Sequence, residues 1–187
     1  MSKSALLVLD VQNGVVSHLD NSEMLRAVQK ALATARQSNI PVVFVRVAFS
    51  EGYPEIGPRN KAFSQIGNFG DMTTSAHATQ IHESVRPMNG EPLVTKYRVS
   101  AFAGSNLEVI LRAKEIDTLI LTGIATSGAV LSTLREASDK DFAIKVLSDA
   151  CGDADPEVHR VLMEKVFPRQ ADVLTVDDWI AEVDSID

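Results

Sequence analysis

The sequence predicts an α/β fold, a three-layer αβα sandwich around a six-stranded, mainly parallel Rossmann-like sheet. Three observations predict it. Short β-rich runs alternate with amphipathic stretches along almost the whole chain, the sign of βαβ units. At 187 residues, with 45% hydrophobic and 23% charged residues, the chain is long enough for one well-buried core and short for two. Several helix starts carry capping residues where the periodicity places them. Residues 1–187 are therefore expected to form a single domain.

The first strand candidate, residues 5–9, is an apolar run stopped by Asp10, too short for a signal-peptide core. A helical pattern over 22–38 leads to a second strand at 42–47, Val-Val-Phe-Val-Arg-Val. Residues 50–90 break the alternation: they are rich in glycine and proline, with weak helical patches only at 61–66 and 79–85. An insertion this long in a compact domain reads as a lid, a binding loop or an oligomer contact. The third strand, 92–96, precedes a helix over 106–114, where Ser105 with Glu108 spells a capping box. A fourth strand at 118–122 feeds a helix over 128–139, and a fifth at 143–147 feeds one over 156–166. That last helix is announced by Asp155 as cap and Pro156 in the first turn. A sixth strand at 172–175 and a helix over 176–183 complete the pattern.

Parallel sheets bind ligands beyond the carboxyl ends of their strands. Asp10 and Gln12 sit there after the first strand, a proton carrier and an amide able to orient a substrate or a water; the plainer reading of Asp10 is a turn cap. Lys96 and Arg98 end the third strand, a point charge and a fork for a substrate carboxylate, or else two solvated surface cations. After the fourth strand, Gly123-Ile-Ala-Thr-Ser-Gly-Ala129 offers hydroxyls and helix N-terminal amides. It matches neither a dinucleotide fingerprint nor a phosphate loop, so no nucleotide cofactor is expected.

With 18 Lys and Arg against 25 Asp and Glu, the net charge is -7, which disfavours nucleic acid and anionic membrane surfaces as partners. No apolar stretch approaches the ~18 residues of a membrane span. The single cysteine, Cys151, excludes an internal disulfide and a multi-cysteine metal site, and with the composition points to the cytoplasm. His18, His77, His82 and His159 lack ligand spacing, and His159 is expected on a solvent face. No metal or other cofactor is expected.

These residues together resemble the isochorismatase-like hydrolases, which include cysteine amidases such as nicotinamidase and the true isochorismatases. The resemblance runs from Asp10-x-Gln12 through Lys96-Tyr-Arg-Val-Ser-Ala-Phe102 to Gly123-Ile-Ala-Thr-Ser and Ser148-Asp-Ala150. It implies that Asp10 and Lys96 are catalytic and that a non-proline cis peptide precedes the motif threonine, at Ala125-Thr126. It also implies a small-molecule substrate and a homodimer or larger homo-oligomer. Gln12, Arg98, Phe102, Ala125, Thr126, Ser127 and Gly128 are the expected substrate-binding residues. The histidines of the nicotinamidase metal site, found after the second strand in that branch, have no counterpart in residues 47–56.

The departure is at Ala129. The amidase branch carries its nucleophilic cysteine six positions after the motif glycine, and that count from Gly123 falls on Ala129, whose methyl group cannot attack a carbonyl. Cys151, between Asp149 and Asp153, is read as a packing residue, because neighbouring carboxylates disfavour a thiolate. No histidine is evidently placed to activate Thr126 or Ser127. True isochorismatases also lack the cysteine: the Asp is thought to act as general acid on an enol ether while water attacks. Those of the phenazine pathway carry a tyrosine where this chain has Ala125. A general acid needs a raised pKa and Lys96 would lower it, so burial of Asp10 must offset the lysine. A non-catalytic small-molecule binder, or a cysteine amidase whose nucleophile was replaced by Ala129, are the alternatives.

Overall fold

In the computed structural model, which describes residues 3–17 and 22–185, all six strands are parallel. They are β1 (Ser4–Leu9), β2 (Val42–Val47), β3 (Leu93–Lys96), β4 (Thr118–Ile124), β5 (Ala143–Gly152) and β6 (Asp172–Leu174), in the order β3-β2-β1-β4-β5-β6. The helices are α1 (Asn13–Val16), α2 (Ser22–Gln37), α3 (Leu107–Ala113), α4 (Leu131–Asp139), α5 (Pro156–Val161) and α6 (Val176–Asp184). His18 lies outside the described residues.

The fold class is as predicted, and its cause is visible in β1. Ala5, Leu7 and Leu9 face a core shared with Leu107, Leu111, Leu134 and Phe167. Leu6 and Val8 face a second core with Val28 and Leu32 of α2 and Trp179 of α6. Because both sheet faces are covered, the run is apolar throughout rather than alternating. Each fully buried leucine contributes on the order of 1.5–3 kcal/mol by leaving water. Among the described residues, no helix is long and apolar enough to cross a membrane.

Two strands outrun their expected ends. β4 continues through Gly123 and Ile124. β5 runs ten residues, to Gly152, because its pairing with β4 shifts between Leu121 and Gly123. Leu121 pairs with Val146 but Gly123 with Cys151, so Cys151 belongs to the strand and not to a following loop. Hydrophobic runs do not encode such a bulge.

Helix ends differ in a similarly local way. Asp155 caps α5 as expected, accepting from the amides of Glu157 and Val158. The Ser105–Glu108 box does not form: Ser105 accepts from Leu107 N but donates to Ala101 O at 2.6 Å, while Glu108 pairs with Lys140 at 2.8 Å. The capping box that does form is Thr175 with Asp178 at α6.

The insertion between β2 and β3 contains three short 3-10 turns, Ile66–Phe69, His77–Thr79 and Glu83–Val85. Phe49 anchors it, with ring centroids 6.0 Å from Tyr53, 5.7 Å from Phe63 and 6.2 Å from Tyr97. Arg46 of β2 clasps it through Thr74 O and Gln80 Oε1.

Candidate active site

The order of strands reverses beside β1, whose neighbours are β2 and β4, so the residue leaving β1 stands at the topological switch point. That residue is Asp10. Its φ of 52° is in the left-handed region that non-glycine residues rarely adopt. Backbone bonds hold it there: Asp10 N donates to Val45 O at 3.0 Å and Gln12 N donates to Asp10 O at 2.8 Å.

Lys96 ends β3, two strands away, in register with Val47. Its side chain crosses β2 and places Nζ 2.8 Å from Asp10 Oδ2. The ammonium also donates to the carbonyls of Arg98 at 3.1 Å and Val99 at 2.9 Å, so its three protons are all engaged. The carboxylate is less well served. Among the described residues, Asp10 Oδ1 is buried without a hydrogen-bond partner. Burial raises the Asp10 pKa above the ordinary carboxylate value and prevails over the charge and hydrogen bond of Lys96, which pull it down. In the tension between a general acid and a neighbouring ammonium, burial is thus the larger influence on Asp10.

β4 supplies the third strand end. Gly123 has φ 120°, and a Cβ there would fall 2.0 Å from Leu9 O, so only glycine lets β4 approach β1 this closely. The cis peptide is Ile124-Ala125, one bond earlier than the expected Ala125-Thr126. Thr126–Val130 then form a wide π turn, with Gly128 N and Val130 N both donating to Ala125 O, before α4 begins. The predicted helix over 128–139 therefore starts regular α geometry only at Leu131. Ala129 is buried in this turn. A Cβ on Gly128 would lie 4.0 Å from Val99 Cγ1, so the turn rests on the same loop whose carbonyls hold Lys96.

Two sequence expectations fail here. Thr126 does have a histidine partner: its hydroxyl is 2.8 Å from His159 Nδ1. His159 is correspondingly half-buried against the turn rather than on a solvent face, and burial lowers its pKa against the opposing pull of Asp153. The helix N-terminal amides are not all open to a ligand either, because Ser127 N donates to Asp153 Oδ2 at 2.7 Å. Sequence reasoning missed both His159 and Asp153, since the β5 bulge that brings them to the turn has no sequence signal. Cys151 packs as expected, its thiol pushed up to about 12, chiefly by burial.

The remaining predicted residues divide by what their polar atoms do. The Gln12 amide is fully buried and engaged with backbone: Nε2 donates to Val47 O and Thr79 O, both at 2.9 Å, and Oε1 accepts from Val47 N. Arg98 donates to Tyr97 O at 2.5 Å and to Glu55 O at 2.9 Å, clamping the insertion. Phe102 lies in the core, 6.0 Å from Phe142, with the Lys140 ammonium 5.5 Å from its ring. Asp10, Lys96 and the 125–129 turn come together at one sheet end; Gln12 and Arg98 secure the insertion there, and Phe102 packs behind it. Among the described residues, no group of three or more His, Cys, Asp or Glu is placed to hold a metal ion. His77 and His82 line a cleft with Asn13 and Arg86, at the insertion.

The isochorismatase domain model matches residues 4–178. The chain belongs to the isochorismatase family. It is 30% identical over 181 residues to YwoC of Bacillus subtilis, an uncharacterized isochorismatase family protein, covering 97% of this chain and 94% of that one. It is 28% identical over 208 residues to the ureidoacrylate amidohydrolase RutB of Pseudomonas syringae, covering 99% and 81%. The crystal structure of N-carbamoylsarcosine amidase from Thermoplasma acidophilum superimposes with a TM-score of 0.76 at 27% identity, covering 94% of this chain and 97% of that one.

Proposed function

We propose that this isochorismatase-family chain is a cofactor-independent hydrolase of a small carboxylate-bearing molecule that works without a cysteine nucleophile. Asp10 carries the reading. It is a buried carboxyl with one oxygen fixed by Lys96, the other unpartnered, and a raised pKa. A group so placed holds a proton to higher pH than an ordinary carboxyl and has a free oxygen through which to pass it to a leaving atom. The leaving group departs with that proton, water supplies the hydroxyl at the electrophilic centre, and the water's other proton returns to Asp10. Lys96 stabilises the transient Asp10 carboxylate and negative charge developing on the substrate. Ala125, Thr126, Ser127 and Gly128 border the substrate; Gln12 and Arg98 act through the insertion they hold. Ala129 stands at the family nucleophile position and offers no nucleophile of its own, so the attacking group is water. A cytoplasmic location and assembly as a homodimer or larger homo-oligomer belong to the same proposal.

The likeness to two amidohydrolases favours a second reading, a cysteine amidase lineage whose nucleophile has been replaced by Ala129. One panel separates the readings. The purified chain, Asp10→Asn and Ala129→Cys are each incubated with carboxylate-bearing enol ethers and with ureido acids, and product is followed by mass spectrometry. The first reading expects turnover by the unaltered chain, lowered by about 10²-fold or more in Asp10→Asn. Unchanged turnover in Asp10→Asn would end that mechanism. Amide hydrolysis appearing only in Ala129→Cys establishes the second reading, and binding of acids without turnover by any variant makes the chain a non-catalytic binder.

A further inference from the structure

We propose that His159 and Asp153 are positioning residues that fix the turn carrying position 129, His159 through the Thr126 hydroxyl and Asp153 through the Ser127 amide. The inference rests on the reading that position 129 borders the reacting atoms, and it concerns groups to which that reading gives no role.

Thr126 is fully buried, so its hydroxyl proton needs an acceptor inside the protein. His159 Nδ1, 2.8 Å away, is the one the geometry supplies. A neutral imidazole protonated on Nε2 accepts at Nδ1; a charged one offers only donors there and strands the hydroxyl proton. Burial disfavours the charged ring. The groups facing His159 are Glu23 from α2, Asp149 from β5 and Asp153 from the β5–α5 link, which with it line a cleft of about 640 Å3. Asp149 is engaged by Val176 N at 2.8 Å. Asp153 is engaged twice, by Ser127 N at 2.7 Å and by Asp155 N at 3.2 Å. These bonds, with desolvation opposing them, hold its pKa below the ordinary range, so it stays an acceptor at neutral pH. Two successive residues at the head of the turn are thus held by one segment, 153–159, from a different βα unit. A wide π turn gains fewer regular helical bonds than an α turn, which leaves its position to such outside partners.

The nucleophilic reading of Thr126 is weaker. Its hydroxyl is fully buried, out of reach of a substrate, and Asp153 is occupied by backbone amides rather than orienting the imidazole.

The test uses a thiol as reporter at the positioned site. In the Ala129→Cys protein, thiolate absorbance is titrated against pH, with the parent chain subtracted to remove Cys151, whose thiol is pushed up to about 12. Thr126→Val and His159→Leu are each expected to move the titration midpoint by about half a pH unit or more, the scale of one hydrogen bond. Because they act through one bond, the double variant moves it no further. His159→Asn, which keeps an acceptor near the Nδ1 position, leaves it in place. Midpoints that do not move, effects that add, or an asparagine that behaves as leucine would overturn the proposal. So would urea midpoints that fall while the thiol titration stays fixed, the mark of a merely structural bond. Ring 15N shifts of the unaltered chain give an independent reading: an unprotonated His159 Nδ1, altered by Thr126→Val, is expected, and a protonated Nδ1 overturns the assignment. Neither measurement uses a substrate, so failure of the Asp10 mechanism and failure of this inference are separate outcomes.

Discussion

Two cation–carboxylate pairs hold distant parts of this fold together, and they are built on opposite principles. Arg36 and Glu91 meet at the base of the insertion in a bidentate pair, Nε to Oε1 and Nη2 to Oε2, both at 2.8 Å. Glu91 Oε2 also accepts from Met88 N at 2.7 Å, and Arg36 donates to Arg86 O at 3.1 Å. Both carboxylate oxygens are in use. At the other pair, Lys96 and Asp10 share one contact, and Asp10 Oδ1 has no partner among the described residues. Yet it is the deeper of the two, with side chains 2% and 9% exposed against 28% and 13%. Burial acts on both carboxylates in the same direction. At Glu91 the bonds from Arg36 and Met88 and the arginine charge outweigh it, and the pKa falls. At Asp10 burial prevails and the pKa rises. A saturated pair fixes a loop; an unsaturated buried pair has a raised carboxyl pKa and an open acceptor, which suits chemistry better than stability.

The largest expected effect follows from breaking the unsaturated pair. Lys96→Met removes the charge and hydrogen bond that favour the Asp10 carboxylate, at a cost of up to about 3–5 kcal/mol at neutral pH by urea denaturation, limited by proton uptake at Asp10. The pH dependence has a definite sign. The folded pKa of Asp10 lies above its unfolded value, so the folded chain holds the proton longer. The cost of Asp10 is absent below the ordinary carboxylate range and builds as pH rises through the raised folded value. A Lys96→Met deficit that is equally large in acid would show that lost packing, not the orphaned charge, is responsible.

Glu91→Gln tests the saturated pair and should cost less, about 1 kcal/mol once the charge-assisted bonds are discounted for the partial exposure of Arg36. Here the slope reverses. The folded pKa of Glu91 lies below its unfolded value, so its contribution is present above the ordinary range and is lost as pH falls through the folded value. Urea midpoints measured from acid to neutral pH should therefore separate the two pairs by sign as well as by size.

The two pairs were also unequally legible. Asp10 and Lys96 stand at strand ends that hydrophobic runs locate well, and the architecture says what strand ends are for. The ion pair itself needs the order β3-β2-β1, which places Lys96 two strands from Asp10 with β2 between them, and strand order is not a property of any local window. Arg36 and Glu91 lie 55 residues apart, and Glu91 belongs to the irregular insertion, where periodicity offers nothing to read. The β5 bulge is the clearest loss. Shifting Cys151 into register with Gly123 moves Asp153 and His159 to the 126–130 turn, and a histidine expected on a solvent face becomes the partner of a buried hydroxyl. Ser105 with Glu108 failed for a different reason: the helix starts one residue later than the pattern implies, with Asn106 in the cap position, so Glu108 is one place short of where a box needs its carboxylate.

Arg160 with Glu157 sharpens the comparison because it makes the same two-bond fork as Arg36 with Glu91 and differs in burial. Arg160 on α5 donates to Glu157 through Nε at 2.8 Å and Nη2 at 2.7 Å, and to Glu164 through Nη1 at 2.6 Å. Its side chain is 43% exposed, and those of Glu157 and Glu164 are 67% and 55% exposed. Water competes for every one of these bonds, and ordering three long side chains offsets what remains. Arg160→Gln should leave the urea midpoint unchanged at low salt, and no difference should emerge at about 1 M salt, where exposed charges are screened within a few ångströms. If the substitution instead shifted the midpoint as far as Glu91→Gln does, bond count rather than desolvation would rank the pairs. The large effect expected at Asp10 and Lys96, which share a single contact, would then lose its physical basis.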